Sequence, residues 1–175
     1  MKIETKRLLL RPLCDNDAHA IAQALNNYEV AKNLARVAFP YKLEAAQDFI
    51  TMQRNFDPRS VVCAIAFRAA PDELLGIASY EVDDSVCEFG YWLRQCCWHM
   101  GIMSEAAKAL VEVSFSDAKL AALHSSFHID NPHSGKILEK LGFVETHQEM
   151  NYSLAQSQYV STSKVILKRE SWAAK

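Results

Sequence analysis

Several kinds of residue that mark non-globular chains are scarce in this sequence. It holds only 5 Gly and 5 Pro in 175 residues, which excludes a collagen-like or linker-dominated architecture. No apolar run approaches the roughly 20 residues that a membrane-spanning helix needs. Residues 1–7 carry charges where a signal peptide would have its apolar stretch. We therefore expect a cytoplasmic protein that does not enter a membrane.

An excess of charge of either sign is also missing. Lys and Arg number 19 against 21 Asp and Glu, which gives a formal net charge of -2. Nucleic-acid binders depend on a broad positive field, so we expect no nucleic-acid partner. The sequence is 50% hydrophobic and 23% charged, as in ordinary globular proteins, and it contains no repeat or linker. We expect a single domain over residues 1–175.

The 5 cysteines show no spacing typical of a metal or disulfide site, and they are Cys14, Cys63, Cys87, Cys96 and Cys97. Adjacent cysteines do not easily bridge one another, so we expect no disulfide between Cys96 and Cys97. His124 and His128 lie on a predicted strand, where a spacing of four residues separates them by about 13 Å, too far to share a metal ion. We expect reduced, structural cysteines and no metal site.

Hydrophobic periodicity predicts strands and helices interspersed along the chain. Strands are predicted at residues 7–11, 61–67, 74–82, 86–93, 123–129, 143–152 and 159–167. Helices are predicted at residues 18–25, 43–56, 103–113 and 132–141. The run at 61–67 is continuously apolar, which is typical of a strand buried on both faces. A turn at Asp83-Asp84 would join strands 74–82 and 86–93 into an antiparallel hairpin, and the fold class is α+β.

Two segments contain candidate functional residues. In the first, strand 86–93 leads through a loop with Gly101 into a helix, and the free amides at a helix start favour an anion such as phosphate. In the second, Asn131 and Ser134 stand at the start of helix 132–141. Each segment also has a purely structural interpretation. One glycine before a helix is common, and Asn131, Pro132 and Ser134 suit a helix cap.

Taken together, these segments resemble the GNAT superfamily of N-acetyltransferases. The motifs are Gly-Tyr-Trp-Leu at 90–93, Trp-x-x-Gly-Ile-x-Ser-Glu-Ala at 98–106 and Asn-x-x-Ser-x-x-x-Leu-Glu-Lys-Leu-Gly-Phe at 131–143. The opening Glu-Thr-Lys-Arg-Leu-Leu-Leu-Arg at 4–11 is similar to the branch of RimJ/RimL-type ribosomal-protein N-terminal acetyltransferases. The resemblance extends over nearly the whole chain.

The resemblance implies a mixed, mostly antiparallel sheet of about seven strands with about four flanking helices. Strands 86–93 and 123–129, the fourth and fifth predicted, would splay apart, and the pantetheine arm of acetyl-CoA would lie in the gap. The backbone of one strand would pair with that arm, as a peptide does in strand addition. The implied cofactor-binding residues are Trp92, Leu93 and Arg94 on the strand, Met100, Gly101, Ile102, Met103 and Ser104 around the pyrophosphate, and Asn131 and Ser134 near the thiol end.

The implied activity is direct transfer of acetyl from acetyl-CoA to a primary amine. Glu88 is the candidate general base, acting directly or through water, and Ser134 would protonate or stabilise the departing thiolate. No metal is needed. The favoured acceptor is a protein N-terminus, and the alternative is a small amine, amino acid or drug. Glu44, Asp48 and Asp57 indicate a basic acceptor. Glu88 also has a structural interpretation, as a strand-end carboxylate in a polar groove.

The cofactor loop departs from the pattern Gln/Arg-x-x-Gly-x-Gly/Ala of similar proteins. Gly101 is retained, but no basic residue stands at Met100, and bulky Met103 replaces a small residue and is expected to hinder backbone approach to phosphate. A second hypothesis is therefore a non-catalytic acyl-CoA-binding or protein-interaction domain with a degenerate loop. The sequence leaves open whether the protein is a monomer or a homodimer.

Overall fold

The computed structural model describes residues 1–83, 86–116 and 120–173 of the protein. Its strands are β1 (Ile3–Glu4), β2 (Leu8–Pro12), β3 (Val61–Phe67), β4 (Gly76–Asp83), β5 (Val86–Leu93), β6 (Ala122–His128), β7 (Val144–Ser153) and β8 (Gln158–Lys168). Its α-helices are α1 (Ala18–Leu25), α2 (Tyr28–Ala31), α3 (Leu43–Met52), α4 (Ile102–Ser116), α5 (Pro132–Leu141) and α6 (Arg169–Ala173). The strands form one sheet in the order β1-β2-β3-β4-β5-β6-β8-β7.

The predicted α+β class and the order of the long elements are confirmed. The described residues contain one strand and two helices more than predicted, because β1, α2 and α6 have only two, four and five residues and are too short to show a period. The helix expected at 43–56 ends at Met52 and continues as a 3-10 turn. Half of the predicted turn, Asp84, lies outside the described residues.

Both faces of the central strands are covered. One face packs against α4 and α5, and the other packs against α1 and α3. For this reason the middle of β3, residues 63–66, is buried without alternation, as the sequence predicts. On β5 the odd-numbered positions Phe89, Tyr91 and Leu93 belong to the α4 side, whereas Trp92 packs on the α1 and α3 side. Each face of β5 therefore looks into a different part of the molecule.

The sheet is weakest between β5 and β6. These two strands are parallel and share a single register pair, Glu88 with His124, whereas β4 and β5 pair along their whole length. The Ser125 hydroxyl donates a hydrogen bond to the Phe89 carbonyl at 2.8 Å, next to that pair. Beyond this point the strands diverge. The predicted splay is confirmed, and it opens a gap in the middle of the sheet.

A buried ion pair fixes the chain between β2 and α1. Two Arg11 nitrogens donate to the two Asp17 oxygens at 2.8 and 2.7 Å, and the Cys14 amide donates to the same carboxylate at 2.9 Å. Burial alone would raise the pKa of Asp17, but the hydrogen bonds from Arg11 and Cys14 outweigh it and lower the pKa below its usual value. The carboxylate therefore remains charged in the folded protein well into the acid range.

We expect Arg11→Met to lower the free energy of unfolding by about 3 kcal/mol, because it leaves a buried carboxylate without its partner. The contribution of Asp17 is fully present above its unfolded pKa and is lost as the pH falls through the lower folded pKa. Urea unfolding between neutral and acid pH measures both effects. The control Arg68→Met breaks the exposed pair with Glu4 and should cost under about 1 kcal/mol. Equal decreases in the free energy of unfolding in Arg11→Met and Arg68→Met would contradict the stabilising role of the buried pair.

Candidate functional site

A large cleft lies between the sheet and the helices that flank it. Its volume is about 1850 Å³, larger than the roughly 300–1,000 Å³ of ordinary small-molecule sites. Its walls come from β4 and β5, from α3 and the segment 33–42, and from the starts of α4 and α5. Glu88, Gly101, Asn131 and Ser134, which sequence analysis selected from distant segments, all line it. The fold therefore brings the predicted site residues into one space.

Glu88 lies on β5 at the last pair before the gap. Its side chain is half exposed, and its Oε2 atom accepts a hydrogen bond from Arg36 at 2.9 Å. The register of the hairpin places Glu81 of β4 directly opposite, so both carboxylates face the cleft. Sequence analysis did not identify Glu81. Its position in the hairpin, opposite Glu88 on the same face, was the signal that would have found it.

Glu81 has an environment that raises the pKa of its carboxyl group. Burial is the main cause that raises its pKa, and repulsion from Glu88 adds to it. A hydrogen bond from the Ser79 hydroxyl at 3.2 Å and the charge of Arg36 act in the opposite direction, but the pKa remains above its usual value. The cleft thus contains two facing carboxyl groups, one partly buried and one paired with an exposed arginine.

The loop between β5 and α4 is shaped for an anion. Gly101 has φ 72°, a left-handed conformation that glycine adopts without strain, and α4 begins at the next residue. The first amides of α4 have no partner within the helix. Ile102 and Met103 turn their side chains into the core, where they are 1% and 4% exposed. The expectation that Met103 hinders backbone approach is therefore wrong, because its bulk lies on the other side of the helix.

A cation does stand at this loop, although it comes from elsewhere in the chain. Arg7 donates through Nη1 to the Met100 carbonyl at 3.0 Å and through Nε to Glu105 at 2.7 Å. The Thr5 hydroxyl and the Arg7 amide donate to the other Glu105 oxygen, at 2.6 and 2.8 Å. Sequence analysis missed this contact, because 93 residues separate Arg7 from Met100 and no periodicity reports it.

Asn131 and Ser134 form the start of α5. The Asn131 side chain accepts from the Ser134 amide at 3.4 Å, and Pro132 follows at the first helical position, so the capping interpretation of Asn131 is confirmed. Capping uses Oδ1 and leaves the Nδ2 donor of Asn131 for other partners. The Ser134 hydroxyl lies 3.1 Å from the hydroxyl of Tyr91, to which sequence analysis assigned no catalytic or binding role.

The end of β5 is only partly available for a ligand. The Arg94 amide donates to the Leu75 carbonyl at 2.8 Å, and the Arg94 carbonyl accepts from the Cys97 amide at 2.9 Å. The Leu93 carbonyl accepts from the Trp98 indole at 3.0 Å. The Arg94 amide is therefore not available to a bound cofactor, because an N–H donates one hydrogen bond. The Trp92 backbone also faces β4, where its carbonyl lies against Gly76. Leu93 remains as a candidate for backbone pairing.

The remaining sequence expectations concern cysteines, metals and membranes. All 5 cysteines are free, and the Sγ atoms of Cys96 and Cys97 stay 3.8 Å apart. Cys87 is buried on the face of β5 opposite to Glu88. Across residues 1–83, 86–116 and 120–173, no group of three His, Cys, Asp or Glu side chains is arranged to hold a metal ion. Within the same residues, no helix is long and apolar enough to span a membrane.

Comparisons with known proteins agree on one fold and one family. Residues 7–144 match the family described as Acetyltransferase (GNAT) domain. The Bacillus subtilis (strain 168) protein described as uncharacterized N-acetyltransferase YoaA is 28% identical over 149 residues, which is 81% of each chain. The ribosomal-protein-serine acetyltransferase of Escherichia coli (strain K12) is 32% identical over 76 residues, or 42% of each chain.

A solved structure extends the likeness of fold to nearly all of the chain. It is spermidine N-acetyltransferase from Vibrio cholerae in complex with CoA and spermine. The two folds superpose with a TM-score of 0.83 at 16% sequence identity, over 97% of this chain and 99% of that one. At this identity the likeness concerns the fold.

We expect the carboxyl group of Glu81 to titrate above its ordinary pKa. Carbon NMR of the side-chain carboxyl groups measures this titration. Glu88→Gln should lower the Glu81 pKa by removing repulsion, and Ser79→Ala should raise it by removing a hydrogen bond to the charged form. A raised folded pKa means that the free energy of unfolding falls as pH rises through that interval. Glu139→Gln, an exposed change on α5, is the control. A Glu81 pKa at or below the ordinary value would refute this description of the cleft.

Proposed function

Because the chain belongs to the acetyltransferase (GNAT) domain family, we propose that it transfers the acetyl group of acetyl-CoA to the α-amino group of a protein N-terminus. The predicted family and enzyme class, an acetyl-CoA-dependent N-acetyltransferase, are confirmed. The partial match to a ribosomal-protein-serine acetyltransferase is consistent with the predicted RimJ/RimL-like branch. The protein N-terminal acceptor and the roles of individual residues are proposed from the contacts and charges of the cleft.

The cofactor fits the cleft as the chain presents it. Its pyrophosphate suits the loop amides around Gly101 and the first turn of α4, residues 102–104, where the apolar side chains turn away. Its pantetheine arm suits the gap that opens beyond Glu88, along the backbone of β5 at Leu93. The Nδ2 donor of Asn131 faces the same space from α5. When bound, acetyl-CoA supplies an acetyl group activated as a thioester.

Glu88 is proposed as the base. An α-amino group has an ordinary pKa of about 8, so removal of its proton needs only a carboxylate at the right place, directly or through one water. Arg36 holds Glu88 in the free protein, but its side chain is 81% exposed. An ion pair this exposed contributes little, so an incoming ammonium group can replace Arg36 at small cost. Glu88 would thus first bind the amine and then accept its proton.

Residues of α5 and β5 are proposed to act on the leaving group and on the acetyl oxygen. Ser134 is proposed to donate a hydrogen bond to the sulfur as the thiolate departs. An amide of β5 at the gap is proposed to stabilise the negative charge that develops on the acetyl oxygen. Because the gap splits the sheet, this amide has no strand partner across it.

The size and charge of the cleft support a protein N-terminus as the acceptor. About 1850 Å³ leaves room beyond a cofactor for several residues of an extended chain. Glu44, Asp48 and Asp57 line the acceptor side, and an N-terminal ammonium group is attracted by them. The same acids favour the second candidate, a small polycationic amine. An acceptor screen with N-terminal peptides and polyamines side by side distinguishes the two by their kcat/KM.

We expect acetyl-CoA to bind with micromolar affinity in calorimetric titration and to be consumed with an N-terminal peptide. Glu88→Gln should lower kcat about a hundredfold while acetyl-CoA affinity stays within twofold, because general-base catalysis is worth roughly 10²–10⁴. Glu139→Gln is the matched control on an exposed helix face. Tight binding without any acetyl transfer would favour the non-catalytic acyl-CoA-binding hypothesis. Absence of binding up to millimolar acetyl-CoA would overturn the proposed function.

We further expect Arg7→Met to weaken acetyl-CoA binding about tenfold, since it removes the anchor of the Met100 carbonyl and the cation at the loop. Arg68→Met, which removes an exposed arginine of the same charge, is the control. Both are read by calorimetry, and a melting curve of each variant checks folding. If Arg7→Met binds acetyl-CoA within twofold of the affinity of the unchanged protein, the loop holds its shape without Arg7.

A further inference from the structure

Tyr91 is a cleft residue to which the proposed mechanism gives no task. It lies on β5 three residues beyond Glu88, where β5 and β6 no longer pair. Its ring packs edge-on against Phe89, with centroids 5.8 Å apart, on the face that α4 and α5 cover. The ring is thereby fixed by packing, while the residue still lines the cleft.

The Tyr91 hydroxyl bridges the two walls of the gap. Its Oη atom lies 3.1 Å from the Ser134 carbonyl oxygen and 3.1 Å from the Ser134 hydroxyl. The Ser134 amide is already held, because it donates to Asn131. Ser134 is therefore fixed at its amide by the helix cap and at its carbonyl and hydroxyl by Tyr91.

The hydroxyl groups of Tyr91 and Ser134 can form hydrogen bonds in two arrangements. A phenol and a serine hydroxyl each have one proton to donate and lone pairs to accept. In the first arrangement Tyr91 donates to the Ser134 carbonyl, and Ser134 donates to Tyr91. In the second, Tyr91 donates to Ser134 Oγ, and the Ser134 proton is free to point into the cleft. The two differ by rotation of two O–H bonds, so the change moves no heavy atom.

Tyr91 keeps its proton under all ordinary conditions. Burial raises its pKa to about 12, although the hydrogen bond with Ser134 acts in the opposite direction. A phenol with this pKa is a permanent donor rather than an acid that gives its proton away. It is thus suited to orient the hydroxyl of Ser134.

We propose that Tyr91 is a positioning residue for acetyl transfer, which holds the Ser134 hydroxyl with its proton directed at the sulfur of the leaving group. The inference rests on the proposed function. In the step, the amine nitrogen bonds to the acetyl carbon, the carbon–sulfur bond breaks, and its electron pair stays on sulfur. The ammonium group first loses one proton to Glu88, which releases it to water, and Glu88 then accepts the second proton from the nitrogen as the amide forms. Tyr91 and Ser134 donate hydrogen bonds and lose no proton.

A binding measurement tests this without any acceptor. If the pair stabilises a thiolate, the thiol of bound CoA ionises at a lower pH than the roughly 8.5 of an ordinary thiol. The ultraviolet absorbance of the thiolate, as a difference against CoA-free protein, gives this pKa. We expect Tyr91→Phe and Ser134→Ala each to raise it by about one pH unit. Tyr159→Phe, an exposed tyrosine on β8, should leave it unchanged.

Other ionisable groups near the site do not confound the comparison. His99 and His133 stand at the mouth of the cleft, with ring centroids 5.0 Å apart, and Lys136 and Glu88 line its walls. Glu81, opposite Glu88, is a partly buried carboxyl group nearby. All of these remain in every variant, so their influence on the thiol is common to each titration and cancels in the differences.

Steady-state kinetics adds a second readout. Tyr91→Phe should lower kcat about tenfold and leave acetyl-CoA affinity within twofold. This decrease in kcat is smaller than that caused by removing a donor that itself contacts the developing charge. The double variant Tyr91→Phe/Ser134→Ala should be no slower than Ser134→Ala alone, because Tyr91 acts only through Ser134. A purely structural role would instead weaken cofactor binding and make the two losses multiply.

The outcomes separate the two proposals. An unchanged thiol pKa and kcat in Tyr91→Phe, with Ser134→Ala impaired, would overturn the role of Tyr91 alone. An unimpaired Ser134→Ala would overturn it together with the assignment of Ser134. Acetyl-CoA binding with the expected thiol shifts, but without transfer to any amine, would support the positioning by Tyr91 and overturn the proposed acceptor chemistry.

Discussion

The single register pair between β5 and β6 is the constraint on which the site depends. A sheet normally satisfies its backbone by pairing, and here the pairing stops at Glu88 and His124. Beyond it, the edge of β5 faces an open gap inside the molecule, which a peptide-like ligand can fill. The same stop places Glu88 at one end of that gap and the start of α5 at its side. The gap, the position of Glu88 and the start of α5 thus share one geometric origin.

The gap remains open because the surrounding structure is firmly held. The full-length hairpin of β4 with β5 and the pairing of β6 with β8 give the two halves of the sheet their own stability. Ser125 ties them at the point of divergence. Tyr91 then links β5 to α5 across the opening through its contacts with Ser134. The two walls are therefore spaced by hydrogen bonds and do not close on one another.

Charge is distributed along the cleft in a way that matches two different ligands. The loop at Gly101 combines helix amides with the guanidinium of Arg7, which is held in place by Glu105. The part of the cleft proposed to take the acceptor carries Glu81 and Glu88 together with the acids of α3. An anionic cofactor and a cationic amine are thus drawn to opposite ends. The net charge of -2 describes the whole chain and does not report this separation.

Much of the fold was predictable from local patterns. Strand β5 was predicted with its observed bounds, and α5 with both its cap and its end, because alternation, Asn131-Pro132 and Gly142 are signals within a few residues. The short elements β1, α2 and α6 were missed, since two to five residues carry no period. The prediction for Met103 failed for a related reason. Its place in the motif was clear, but which side of α4 it faced depended on the packing of the core.

The sequence by itself determined the long elements, the family resemblance and the candidate residues Glu88, Asn131 and Ser134, because each rests on local spacing. Tertiary structure alone decided that Arg7 supplies the cation at the loop, that the Arg94 amide is already taken by Leu75, and that Glu81 and Tyr91 belong to the site. These are contacts between segments far apart in the chain. Their geometry follows from strand register and helix packing, which no short window of residues encodes.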